Sequence, residues 1–161
     1  AAQRIHPNNV KRVVRALEAL HMNGTGLADF SSVKDITKDY DAILIGLSRD
    51  RQALYRRIED RVDQLMEAGL LDEVRWLKEN GFTSADISMK GIGYKELLDH
   101  LSGAYDLPHA VDLIKKNTRH YAKRQMTWFK RYEEMQWFDI THDIGDEETV
   151  EKIMSWLNKK R

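Results

Sequence analysis

The stretch DAILIGLS, Asp41–Ser48, decides the fold class. It is a short apolar run between polar residues, flanked on both sides by segments with helical periodicity. A run of this length with β-branched and aliphatic residues reads as a buried strand. MQWFDI, Met135–Ile140, is the second strand candidate. Two short strands make a poor sheet by themselves, so their sheet partners are expected elsewhere. The expectation is a helix-rich α/β chain, not an all-helical one.

Helices fill the rest. Asn8 or Asn9 is placed to cap VKRVVRALEALHMNG, with Val10, Val13, Val14, Leu17 and Leu20 on the apolar side and Gly24 as its end. RDRQALYRRIEDRVDQLMEAG runs to Gly69, and LLDEVRWLKENG runs to Gly81. A glycine-containing loop leads into GIGYKELLDHL. Pro108 suits the first turn of the long PHAVDLIKKNTRHYAKRQMTWFKRY. The last segment, GDEETVEKIMSWLNKKR, has acids first and cations last, matching the helix dipole. No internal repeat marks a boundary, and residues 1–161 read as one portion of a single fold.

Composition limits what the chain can do. Its 26 Lys and Arg balance 26 Asp and Glu, so any anionic partner must be met by a local patch. The absence of Cys excludes disulfides, thiolate metal ligands and a thiol nucleophile. No run is apolar enough for a membrane span, so no membrane contact is expected. The histidines have no H-x-x-x-H or H-E-x-x-H spacing, and no metal site built by this chain is expected. A cytoplasmic monomer is the expectation.

The local patch is conspicuous. From Leu113 through Tyr132 there is no Asp or Glu, while TRHYAKRQMTWFKR, Thr118–Arg131, carries six basic side chains with Tyr121, Trp128 and Phe129 among them. At helical spacing Lys116, His120, Lys123, Thr127 and Arg131 form one cationic face. Asn117, Tyr121, Arg124 and Trp128 form the stripe beside it. Cations suit phosphates, and aromatic faces suit splayed-out bases. A solvated face with its aromatics turned to the core is the competing reading.

Three other segments merit comparison. In MKGIGYK, Met89–Lys95, two glycines between Lys90 and Lys95 would let backbone N–H groups approach an anion, although a plain turn explains them too. No Walker A pattern occurs. In LYRRIEDRVDQL, Leu54, Ile58 and Leu65 fall within ~40° of arc and Arg61 only ~20° outside them, with Arg57 one turn earlier on the same edge. A guanidinium at a core boundary needs an anion. The pattern alone favours a salt bridge to Asp50 or another carboxylate over a ligand phosphate. Lys11, Arg12 and Arg15 in HPNNVKRVVRALE fit a solvated face as well as phosphate contact.

RIHPNNVKRVVRALE, LYRRIEDRVDQLMEAGLLDEV, GIGYKE and AKRQMTWFK, in this order, resemble the C-terminal half of tRNA dimethylallyltransferases (tRNA isopentenyltransferases). The resemblance extends to about Asp139. It implies part of a P-loop NTPase-like parallel-sheet core with added helices. It also implies transfer of a dimethylallyl group from dimethylallyl diphosphate to N6 of the adenine 3′-adjacent to the anticodon, with Mg²⁺. Arg61 would match an active-site arginine on the diphosphate, reversing the salt-bridge preference.

The resemblance further assigns tRNA contact to three segments. They are Lys11, Arg12, Val13, Val14 and Arg15; then Lys90, Gly91, Ile92, Gly93, Tyr94 and Lys95. The third comprises Lys123, Arg124, Gln125, Met126, Thr127, Trp128, Phe129 and Lys130. An anticodon stem-loop would be the partner, with its target base flipped out. The family's Gly-rich phosphate loop and proton-accepting Asp have no counterpart here, and Asn23–Gly26 departs modestly from its TGK-type turn. These residues are therefore expected to be inactive alone, with Mg²⁺ held mainly outside them. A non-catalytic tRNA-binding helical module is the alternative. An enzyme prenylating free adenylate would not need the basic helix, and a helical interaction domain without RNA is the remaining rival.

Overall fold

The structure, a computed structural model, describes residues 8–23, 42–142 and 147–160. The chain divides into two compact units, residues 1–42 and 43–161. The first contains α1, Val10–Asn23, whose opening turn is closed by the Val13 N–H donating to Asn9 O at 3.0 Å. Val10, Val14, Leu17 and Leu20 remain exposed along it. Gly24 and the Gly24–Gly26 turn lie outside the described residues.

The second unit runs β1 (Ile45–Ser48), α2 (Arg51–Glu67), α3 (Leu70–Glu79), a 3₁₀ turn (Ser88–Lys90), α4 (Tyr94–Leu101), α5 (Leu107–Phe129), β2 (Gln136–Asp139) and α6 (Glu147–Lys160). β1 and β2 are parallel, with Ile45 opposite Gln136 and Ser48 opposite Asp139. A parallel pair needs a crossover between its strands, and α2–α5 form that connection. Asp50 caps α2 by accepting the Gln52 and Ala53 N–H groups at 2.9 and 3.0 Å. Asp106 caps α5, accepting the His109 N–H at 2.9 Å, with Pro108 in the first turn.

The core lies among α2, α3, the 3₁₀ turn, α4 and α5, where Val62, Val74, Met89, Leu97, Ala110 and Ile114 are buried together. Two ion pairs add to the α2–α5 contact, Arg119–Glu59 at 2.5 Å and Lys115–Asp63 at 2.7 Å.

The expectation of a buried strand does not hold for β1. Ile45 and Leu47 are exposed, and only Gly46 is enclosed. The two-stranded sheet offers too little surface to cover both faces of β1. Gly46 is enclosed because the Trp137 ring and Met135 Sδ crowd it: a Cβ there would sit 2.6 Å from the ring and 2.8 Å from the sulfur.

Candidate anion and RNA site

α2, the 88–93 segment and α5 enclose an open cleft of ≈ 970 Å³. The amphipathic pattern of α2 explains its character. Ile58 and Val62 turn inward, while Arg57 and Arg61, one turn apart, reach the cleft at the edge of that stripe. Lys90 and Arg124 line the same space, as do Leu54, Leu65, Ile92 and Tyr121; Asp60 is its one carboxylate. Four cations against one acid make it a net-cationic cleft with apolar walls. The salt bridge favoured by pattern alone is not formed: among the described residues neither Arg57 nor Arg61 has a hydrogen-bond or ion-pair partner. Asp50, the suggested partner, is occupied capping α2.

Along α5 the inward side is committed to structure. Lys115 and Arg119 pair with acids of α2, and Arg119 also lies 5.9 Å over the Tyr55 ring. The outward side is not. Lys116, His120, Lys123, Thr127 and, just past the helix end, Arg131 are exposed. Tyr121, Trp128 and Phe129 are exposed too, at 48%, 54% and 42%, which rules out the reading that turns these aromatics to the core. Arg124 lies 5.6 Å over Tyr121, and Arg131 lies 4.9 Å over Trp128. A hollow of ≈ 280 Å³ lined by Lys123, Arg124, Thr127, Trp128 and Arg131 adjoins the cleft through Arg124. Gln125 and Lys130 are exposed and Met126 is half-buried.

The 90–95 turn differs from an open anion cradle. The Gly93 N–H, one of the groups available to an anion, donates instead to Glu96 Oε2 at 2.8 Å. Gly93 adopts φ 99°, a conformation that glycine takes without strain. Lys90 Nζ donates to Ala85 O at 2.9 Å, and Lys95 pairs with Asp99 at 3.6 Å. Tyr94 donates its hydroxyl to Glu73 Oε1 at 2.7 Å; that bond and partial burial hold its pKa above the ordinary value. Gly91 and Ile92 are exposed. On α1, Lys11, Val14 and Arg15 are exposed and Val13 is half-buried; Arg12 falls in the same helix.

The family resemblance assigns no role to Arg57 or Tyr121, although helical spacing sets Arg57 on the edge of Arg61 and Tyr121 on the stripe of Arg124, and both line the cleft. Glu96 is missed for another reason, since its helix opens on glycine and lacks the Ser or Thr of a usual capping box.

A cationic, apolar-walled cleft adjoins an exposed helix face that carries both cations and aromatic rings. Residues 1–132 match the family described as IPP transferase, and the chain belongs to that family. A tRNA dimethylallyltransferase of Alkaliphilus metalliredigens is 50% identical over 156 residues, 96% of this chain and 49% of the relative. The full-length tRNA isopentenylpyrophosphate transferase from Bacillus halodurans superposes with a TM-score of 0.72 at 40% identity, covering 99% of this chain and 48% of that one. A eukaryotic dimethylallyltransferase, described as acting on tRNA, gives 0.78 at 27% identity, covering 98% and 42%. The chain thus spans about half the length of the curated relatives it matches. The α/β class expected from the two short strands, part of a P-loop-like parallel-sheet core, is the class of these structures.

Proposed function

We propose that this chain supplies the diphosphate-facing arginines and the RNA-contacting surface of a tRNA dimethylallyltransferase. Dimethylallyl diphosphate is the donor and N6 of an adenine beside the anticodon is the acceptor. The observation that carries the reading is the cleft in which unpartnered Arg61 meets Arg57, Lys90 and Arg124. Charge grows on the diphosphate as the allylic C–O bond breaks. Guanidinium donors that meet that charge stabilise the transition state. Arg61 is the residue assigned this role, with Arg57 beside it. The apolar lining from Leu54, Leu65 and Ile92 suits a five-carbon chain.

The acceptor half of the reading rests on α5. Lys123 and Lys130 meet phosphates, while Trp128 and Tyr121 offer ring faces to unpaired bases. Residues 90–95 and 11–15 are assigned to the same RNA. An anticodon stem-loop supplies both chemistries, and its target adenine must leave the stack to be prenylated. The exposed aromatics disfavour a reading limited to free adenylate as acceptor.

The donor set of this cleft does not fit Mg²⁺, because it presents four cations and one carboxylate. Among the described residues no group of three or more His, Asp or Glu could hold a metal ion. Mg²⁺ belongs to the reading as an ion on the diphosphate oxygens held by residues other than these. A soluble cytoplasmic monomer is part of the same proposal; among the described residues no helix is long and apolar enough to cross a membrane.

The test is prenyl transfer to an anticodon stem-loop by the full-length protein and its Arg61→Ala variant. Loss of turnover with RNA binding retained supports the assignment. Unchanged turnover in the variant removes Arg61 from the chemistry.

A further inference from the structure

Glu96 is the only buried carboxylate among the described residues, at 4% exposure, and it has no cationic partner among them. Its two oxygens are used in different directions. Oε2 accepts the Gly93 N–H at 2.8 Å, fixing the turn 90–95. Oε1 accepts Asn117 Nδ2 at 2.7 Å, reaching across to α5 about two turns before Lys123 and Arg124. Its main-chain carbonyl also accepts the Tyr105 hydroxyl at 3.1 Å, which fixes the start of α4 from a third side.

We infer that Glu96 is a positioning residue that sets the spacing between the 90–95 turn and the basic–aromatic half of α5, so that one RNA can engage both. The inference rests on the RNA reading given above. A helix cap alone needs one carboxylate oxygen, and solvent can satisfy the other. Here the second oxygen is buried and spent on a different element, the one carrying the exposed cations and rings. A buried carboxylate must have its lone pairs satisfied, so this geometry is held rigidly. Lys90, held to Ala85 O, and exposed Lys123 inherit their relative placement from the backbones that Glu96 ties together.

The experiment reverses the bond. Asn117→Asp sets a half-buried carboxylate against the buried one of Glu96. Glu96→Gln combined with Asn117→Asp restores one donor and one acceptor with the roles exchanged. In that double variant the introduced amide oxygen still accepts the Gly93 N–H, while its NH₂ group donates across to α5. Affinity of the full-length protein for an anticodon stem-loop RNA is measured well below each variant's unfolding temperature. The expected result is stem-loop binding weakened at least about tenfold by Asn117→Asp and returned to within about threefold by the double variant. Asn117→Asp that lowers only the unfolding temperature and leaves stem-loop affinity intact overturns the inference, as does a well-folded double variant that fails to recover. Wild-type protein that does not bind the stem-loop at all overturns the RNA reading itself, a separate outcome read in the control.

Discussion

Arg57 and Arg61 lie one helical turn apart on α2, line the same cleft, and have no partner among the described residues. Like charges at this spacing disfavour a helix by roughly 0.2–0.5 kcal/mol. α2 also carries Asp60 and Asp63 close by, yet Asp63 is committed to Lys115. A repulsive pair beside an apolar wall is a poor stabilising device and a good receptor for a dianionic ligand.

Arg61→Ala is therefore expected to weaken pyrophosphate binding by about 1.5–3 kcal/mol, the range for a hydrogen bond to a charged group. Thermal stability should stay within about 0.5 kcal/mol of wild type, because no protein contact is removed. Calorimetric titration and thermal melts of the same samples read both quantities. A variant that melts early yet binds pyrophosphate normally would assign Arg61 to the fold instead.

The two sides of α5 predict opposite behaviour. Lys123→Ala with Arg124→Ala should flatten the log–log salt dependence of stem-loop binding by about 1.4–1.8, since each lost phosphate contact removes roughly 0.7–0.9. Trp128→Ala should cost about 1–3 kcal/mol of RNA affinity with little change in slope, as loss of a stacking face does. A salt slope unmoved by the double substitution would show that these cations are not at the phosphates.

Arg119→Met supplies the contrast. Arg119 is 27% exposed and pairs with half-exposed Glu59, so its loss should cost at most about 1 kcal/mol of folding stability. The salt slope of RNA binding should not change, because this guanidinium is already spent on α2. Urea unfolding and the same binding series distinguish the two. A flattened slope here would mean that Arg119 leaves Glu59 to meet RNA.

What the sequence can reveal follows from how local each cause is. Pro108 announces the start of α5, and glycines close α2 and α3, because capping acts within a few residues. The cationic face of α5 is visible for the same reason, as a matter of spacing. The fate of Arg119 is not, since its partner Glu59 lies 60 residues away. Exposure of β1 is also illegible: an apolar run looks the same whether or not anything covers it. Glu96 escapes notice because its significance is a contact with Asn117, 21 residues along the chain.

Gly46→Ala tests the contact that defines the sheet. The added methyl would lie 2.6 Å from the Trp137 ring, closer than real side chains approach, so the ring or β1 must move. Overpacking of this kind costs about 1–3 kcal/mol. Gly46→Ala with Trp137→Leu should recover part of that loss, which chemical denaturation of the three proteins would reveal. Equal stability of Gly46→Ala and wild type would show that β1 and β2 separate freely.

The junction of β2 with α2 should be acid-sensitive. The Thr141 hydroxyl donates to Asp139 at 2.5 Å and accepts the Asp50 N–H at 2.6 Å. The Thr141 side chain and N–H hold the Asp139 pKa below the ordinary value, and the Ala53 N–H does so for Asp50. A carboxylate whose folded pKa is depressed binds protons more weakly when folded. Its stabilising contribution is therefore present above the unfolded value of about 3.9 and is lost as pH falls through the lower folded value. Asp50→Asn with Asp139→Asn removes both titrations. Melting temperatures followed from about pH 6 down to about pH 3 should show wild type ahead at the upper end and the gap closing below about pH 4. A gap that persists undiminished at the acid end would mean that the capping geometry, and not the charge of Asp50 and Asp139, stabilises this junction.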